Sequence, residues 1–282
     1  MLRESPKFRI GFTILLVLVL LALSHELISR LMFGNVDPMA IGGAGQWLTP
    51  SPEHWLGTDR YGRDLLIMTL GGLEISLEVA VIAGLMSTVV GVVVAFVAGY
   101  KGGLIDGFLN TTTDMFLVIP SFPLLLTLSA YVRGVTVFDV SILLAIFSWP
   151  FAARTIRAQV LSLRSRPYVE LAQVTNLNDA EIIFQELLPN LLPYIGVGLA
   201  NASLGAIFAL VGLEVIGLGP SSIIDLGLMI NWAVTWGALS LGAWPIFVAP
   251  VVILSLLFFS VNLINIGLEE LYNPRLRAIA GA

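Results

Sequence analysis

The chain has 282 residues, 57% of them hydrophobic and only 12% charged, with a mean hydropathy of +0.93, a balance well outside that of soluble domains. Fourteen Lys and Arg stand against 19 Asp and Glu, which excludes an extended basic surface and argues against nucleic acid as a partner. Cysteine is absent, so disulfides and thiolate metal sites are excluded as well.

A crossing helix needs roughly 20 mostly apolar residues. Apolar stretches of that order lie near residues 9–31, 75–99, 114–132, 136–153, 191–216 and 244–268. The expected fold class is therefore an all-α polytopic membrane protein with about six transmembrane helices, a tail over 1–8, a membrane domain over 9–268 and a second tail over 269–282. The first stretch is uninterrupted from Ile14 to Leu23 and then meets His25 and Glu26, which places its end near the lipid headgroups. Arg3, Lys7 and Arg9 followed by Ala22-Leu23-Ser24 also have the outline of a cleaved signal peptide, the competing reading of this stretch.

Between the first two stretches, residues 32–74 contain Pro38, Pro50, Pro52 and the pair Gly42-Gly43, so the first half of this segment reads as irregular chain. Between the fifth and sixth, residues 217–243 carry Trp232 and Trp236, with Trp244 just beyond, a placement suited to a membrane interface. Lys and Arg are retained on the cytoplasmic side of a membrane. With the amino terminus inside, the cytoplasmic segments hold Arg3, Lys7, Arg9, Lys101, Arg154, Arg157, Arg164, Arg166, Arg275 and Arg277, and the outer ones only Arg30, Arg60, Arg63 and Arg133. The bias predicts both termini inside, 32–74 and 217–243 outside, and 154–190 in the cytoplasm.

Residues 154–190 leave the membrane for almost forty positions without becoming a domain. Ser165, Pro167 and Glu170 form a helix start, because Pro tolerates the first turn and a carboxylate there faces the positive end of the dipole. A stop is expected near Asn176, since Asn adopts the left-handed conformation that ends helices. Asn178, followed by Asp179 and Glu181, predicts an N-cap with a capping-box acid and a second short helix through Ile182, Ile183 and Phe184, with Pro189 at the entry to the next span. The product is a helix, a sharp turn and a helix at the inner face. Such a segment lies either on the headgroups or in the groove of another protein. Residues 167–190 contain no Lys or Arg and four acids, Glu170, Asp179, Glu181 and Glu186; anionic lipid would repel them, which favours a protein partner.

Tyr168-Val169-Glu170-Leu171-Ala172 through Leu188-Pro189-Asn190 resembles the EAA loop of ABC importer permeases. His54-Trp55-Leu56-Gly57-Thr58-Asp59 with Gly62-Arg63-Asp64 is similar to a signature of the dipeptide, oligopeptide and nickel permease family, specifically its C-type subunit. Ala98-Gly99-Tyr100-Lys101-Gly102-Gly103, Asp106, Asp114, Pro120, Gly217-Leu218-Gly219 and Gly227 with Met229 also follow that family's pattern. The departures are Leu171 for Ala, Asn176 for Gly, Glu186 where the family often has His, and Glu74 where it has Arg. The resemblance implies a type I ABC importer permease fold with a cytoplasmic coupling helix, in the plasma membrane of a bacterium or archaeon. It implies a heterodimer with a homologous second permease, two ATPase subunits that bind ATP and Mg, and an external substrate-binding protein. Glu170, Ala172, Asn176, Leu177, Asn178, Asp179 and Pro189 would couple to the ATPase, and His54, Gly57, Thr58, Asp59, Gly62, Arg63 and Asp64 would form an outer cap. Relatives in this family carry peptides, nickel complexes or oligosaccharides; no substrate-contacting residue is singled out.

The remaining residues sharpen this picture. No G-x-x-x-x-G-K-[ST] run occurs, so the nucleotide phosphates belong to separate subunits and no cofactor is expected in this chain. Gly198, Ala202 and Ala206, with Gly205 and Ala209, place small residues four apart in the fifth span, a spacing that permits close helix approach within the subunit or against a sister permease. Asp114, Asp139 and Glu214 fall near predicted span ends, where water or headgroups serve them. His25 and His54 are too few and too separated for a metal cluster. A stand-alone secondary transporter or channel, the alternative function, would show ionisable groups at mid-membrane or broken helices in matched halves; a membrane enzyme would need a nucleophile with its base, or a metal pair, at depth.

Overall fold

The computed structural model describes residues 5–129, 136–175, 177–219 and 223–272. Among these residues the regular structure is helical, and the one β feature is an isolated antiparallel bridge between Thr58 and Asp64. The elements are α1 (Pro6–Leu23), α2 (His25–Phe33), α3 (Leu65–Lys101), α4 (Gly103–Val118), α5 (Ser121–Ser129), α6 (Val137–Arg164), α7 (Pro167–Val174), α8 (Asp179–Glu181), a π-helical turn (Ile182–Leu187), α9 (Leu188–Val215), α10 (Leu226–Thr235), a 3-10 turn (Ala238–Leu241) and α11 (Pro245–Tyr272). Five helices are long and apolar enough to cross a membrane, and α4 with α5 makes a sixth if the bent pair is one span.

Three element boundaries differ from the hydropathy reading. The second span begins at Leu65, not near residue 75, because Asp64 caps the helix: its Oδ1 accepts from the Ile67 amide at 2.9 Å. The third is not one straight helix over 114–132. Pro120 has no amide hydrogen and drives the residue before it out of the helical region; Ile119 is extended at φ −65°, ψ 124°, and α4 and α5 meet at 74°. The second short helix after Asn178 is not separate, since the run from Asp179 to Val215 is continuous. Pro189 sits inside that run, two residues past the end of the π-helical turn. An interior proline lacks a donor and crowds the carbonyl four residues back, and the wider π winding relaxes the helix where that misfit falls.

The chain divides into two units, one comprising Met1–Val79, Leu128–Val137 and Ile207–Ala282, the other Ala80–Thr127 and Phe138–Ala206. In the first, α1 runs along α11. Side chains on Gly11 and Gly267 would strike the Ser260 carbonyl and Phe8 respectively, and their absence permits this close approach. Ser5 caps α1 by accepting from the Phe8 amide, and its hydroxyl and Lys7 both reach Glu270. In the second unit, the later part of α3 packs on α6 through Gly91 against Ala152 and Gly99 against Val160. A core of Phe96, Tyr100, Ile156, Val160, Val169, Ala172, Ile182, Leu187 and Leu191 continues from there under α7.

Candidate functional site

The segment from Pro167 to Pro189 belongs to the second unit. Pro167 opens α7 after an extended Arg166, and Glu170 lies in the first turn. The helix has two faces. Val169 and Ala172 are buried in the core beside Ile182 and Leu187, while Leu171 is 64% exposed, Val174 83% and Phe184 66%. The helix ends at Val174, with Thr175 as its C-cap and its hydroxyl on the Leu171 and Ala172 carbonyls. Asn176 lies outside the described residues. Leu177 tucks against the core. Asn178 accepts from the Glu181 amide at 2.9 Å, and Glu181 accepts from the Asn178 amide at 2.8 Å, a reciprocal capping box that satisfies two otherwise orphan donors. Pro189 is exposed.

Residues distant in the chain hold this turn. The Tyr100 hydroxyl donates to Asp179 Oδ1 at 3.1 Å across 79 positions of sequence. Arg164 lies 5.8 Å from the Tyr100 ring centroid and donates to the Gly99 carbonyl at 3.4 Å. Arg157 grips Asp106 with two hydrogen bonds of 2.6 Å, the bidentate geometry that fixes orientation as well as charge. Sequence reasoning noticed Tyr100 and Asp106 as parts of a resemblance but not their partners, because nothing local signals a contact between such remote positions.

The residues from His54 to Asp64 belong to the first unit and come together. His54 Nδ1 lies 2.9 Å from Asp64 Oδ2. Asp59 Oδ1 accepts from the amides of Tyr61 and Arg63, and Oδ2 accepts from Arg63 Nε at 2.7 Å. The Arg63 guanidinium also lies 4.7 Å from the centroid of Trp232 and 5.1 Å from that of Tyr61, within reach of cation–π attraction. Thr58 donates to the Gly45 carbonyl and accepts from the Leu48 amide. Gly57 and Gly62 have φ of +79° and +76°, and side chains there would overlap the carbonyls of Leu48 and Ala44, so both the backbone angle and the space require glycine. Trp47 and Tyr61 each meet Trp236 edge-on.

Two further polar sites lie in this unit. Glu74 pairs with His25 at 2.9 Å and lines a pocket with Arg30, Asp37 and Met39, which accounts locally for an acid at this position. Glu214 corrects an expectation. It is not served by water or headgroups but is 1% exposed, and it lies against Asp225, which is fully buried. The helix start at Leu226, hidden in a segment read only as an interfacial loop, brings the second carboxyl to it. The Pro167–Pro189 set and the His54–Asp64 set thus fall in different units, each organised by its own contacts.

An all-helical chain with five or six membrane-length helices, interrupted by one anchored helix–turn–helix, is a multi-pass membrane protein. Residues 91–278 match the family model described as binding-protein-dependent transport system inner membrane component. The oligopeptide transport system permease protein OppC of Mycobacterium tuberculosis (strain ATCC 25618 / H37Rv) is 30% identical over 281 residues, covering 98% of this chain and 94% of that one. OppC of Bacillus subtilis (strain 168) is 28% identical over 276 residues, 98% and 88% of the two chains. The dipeptide transport system permease protein DppC of the same strain is 33% identical over 233 residues, 82% and 72%. The chain belongs to the family of binding-protein-dependent inner membrane components, as a C-type permease subunit of an ABC importer.

Proposed function

We propose that this chain forms half of a peptide translocation pathway and converts the movement of a partner ATPase into alternating access through the Pro167–Pro189 turn. A homologous second permease supplies the other half, an external binding protein delivers the substrate, and two ATPase subunits bind and hydrolyse ATP with Mg. This chain performs no chemistry of its own. Both termini and the turn lie in the cytoplasm, and the His54–Asp64 segment lies outside, as the Lys and Arg bias indicates. Peptides are favoured over oligosaccharides because the relatives are oligopeptide and dipeptide permeases. Among the described residues, no atom outside their own stretch of helix backbone lies within 4 Å of where a side chain on Gly198 or Gly205 would point, which supports a close-packed sister helix there.

The observation that carries the coupling role is the two-faced turn. Val169 and Ala172 root it in the core, while Leu171, Val174 and Phe184 project outward from a segment with no Lys or Arg to hold it on anionic lipid. When ATP closes the ATPase dimer, a rooted element gripped by its exposed edge transmits the displacement to the helices it continues into, α6 and the Asp179–Val215 run. The test is Glu170→Ala together with a double substitution of Leu171 and Val174 by Asp, read by membrane insertion, ATPase co-purification and uptake in proteoliposomes. Normal insertion with loss of ATPase-driven uptake is expected; full uptake by these variants overturns the reading.

A further inference from the structure

Two carboxyl groups in the first unit have no role in coupling. Glu214 ends α9 and Asp225 caps α10, accepting from the Leu228 amide at 2.9 Å through Oδ1. Both are buried, and neither oxygen of Glu214 nor Oδ2 of Asp225 meets a conventional hydrogen-bond donor. Glu214 Oε2 lies against Gly227, two residues beyond Asp225, so the two acids interact within one buried cradle. Two carboxylates are both acceptors only, so a bond between them exists only when one carries a proton.

The described surroundings offer no other charge to balance the pair. Among the described residues, no Lys, Arg or His pairs with either acid. Arg63, above α10, is committed to Asp59 and to the Trp232 ring. On α3, Glu74 is held by His25, and Gly72 lies against the Asp225 backbone. Residues 226–235 of α10 contain no titratable side chain, and in the described residues of α11 Glu269 and Glu270 lie at the far end of the helix, with Glu270 on Lys7. The cradle is shaped to this pair: a side chain on Gly219 would overlap Glu214, and one on Gly227 would fall 2.5 Å from Glu214 Oε2. An isolated buried charge is costly and two are prohibitive.

We propose that Glu214 and Asp225 are a proton-binding site, a carboxyl pair that holds one proton and with it fastens the turn before α10 to the end of α9. Because Trp232 of α10 lies under Arg63 and Trp236, the C-cap of α10, lies beside Trp47 and Tyr61, the proton also secures the seat of the His54–Asp64 segment. Burial pushes the Asp225 carboxyl up, opposed by its interaction with Glu214 and by the Leu228 amide on Oδ1. A carboxyl that keeps its proton in the folded chain but loses it in the unfolded chain gives stability that is complete at low pH. That stability is lost as pH rises through the ionisation of the folded pair. The latch is therefore closed in acid and strained open in alkali, where two negative charges would share one buried site.

The test uses the full chain in lipid nanodiscs. Infrared spectra at neutral pH are expected to contain the carbonyl stretch of a buried neutral carboxyl that disappears in Glu214→Gln and shifts or disappears in Asp225→Asn. The melting temperature of the wild type should fall toward alkaline pH, while Glu214→Gln, whose amide donates the same hydrogen bond without titrating, should stay level. Absence of the band in the wild type, a band unmoved in both variants, or parallel melting profiles would overturn the proposal. Melting that rises with added sodium or calcium at fixed pH, without a neutral carboxyl band, would identify a cation site instead and overturn it equally. If Glu214→Gln does not fold, Asp225→Asn carries the same two readouts.

Discussion

The His54–Asp64 segment and the Pro167–Pro189 segment both connect membrane-length helices, and they are held by opposite means. The first turns its charges inward: Asp59 on Arg63, Asp64 on His54, and the Arg63 face on two aromatic rings. The second is rooted by apolar side chains, with Asp179 tied to Tyr100, and keeps an apolar edge outward. Where polar groups satisfy one another, a loop is a rigid lid with little left to offer a partner. Where the anchoring is apolar and one-sided, the opposite edge remains available for docking. The resemblance between the two as connecting segments hides this mechanical difference.

Substitutions break the contrast in a definite order of stability. Asp59→Ala leaves the Arg63 guanidinium buried without its partner and should cost about 3–5 kcal/mol, read as a large drop in melting temperature; a loss below about 1 kcal/mol would show that the cation–π contacts alone hold Arg63. Asn178→Ala removes one half of the capping box and should cost about 1 kcal/mol, with transport weakened more than the melting temperature. Tyr100→Phe deletes only the hydroxyl on Asp179 and should cost about 1 kcal/mol or less. Its informative readout is the number of ATP molecules hydrolysed per substrate moved, which should rise if Tyr100 positions the turn and stay unchanged if it merely packs. Leu171→Asp should shift stability by no more than about 0.5 kcal/mol, because the side chain is exposed, and yet abolish ATPase co-purification. A variant that melts early but still binds the ATPase would reverse the assignment of the exposed edge.

Features written in neighbouring residues were legible in advance. The apolar stretches located the membrane helices; Pro167 and the Asn178–Glu181 capping box marked the helix starts of the turn; and the spacing through Gly57, Gly62 and Asp64 marked the segment that the first unit closes around Arg63. The misses have a common form. The α4–α5 bend was hidden because a hydropathy window averages over Pro120, and α10 was hidden inside a loop because its cap, Asp225, was not singled out. Glu214 was assigned to the membrane edge because distance along a span was the only measure of depth.

What the sequence determined by itself is the class of molecule, because solvent preference and helix caps are properties of residues and their immediate neighbours. What only the tertiary structure decided is which polar groups meet: Tyr100 with Asp179, Arg157 with Asp106, His25 with Glu74 and Glu214 with Asp225. In an apolar interior a charge is tolerable only beside the right partner. That partner is selected by the packing of helices, which no local pattern encodes.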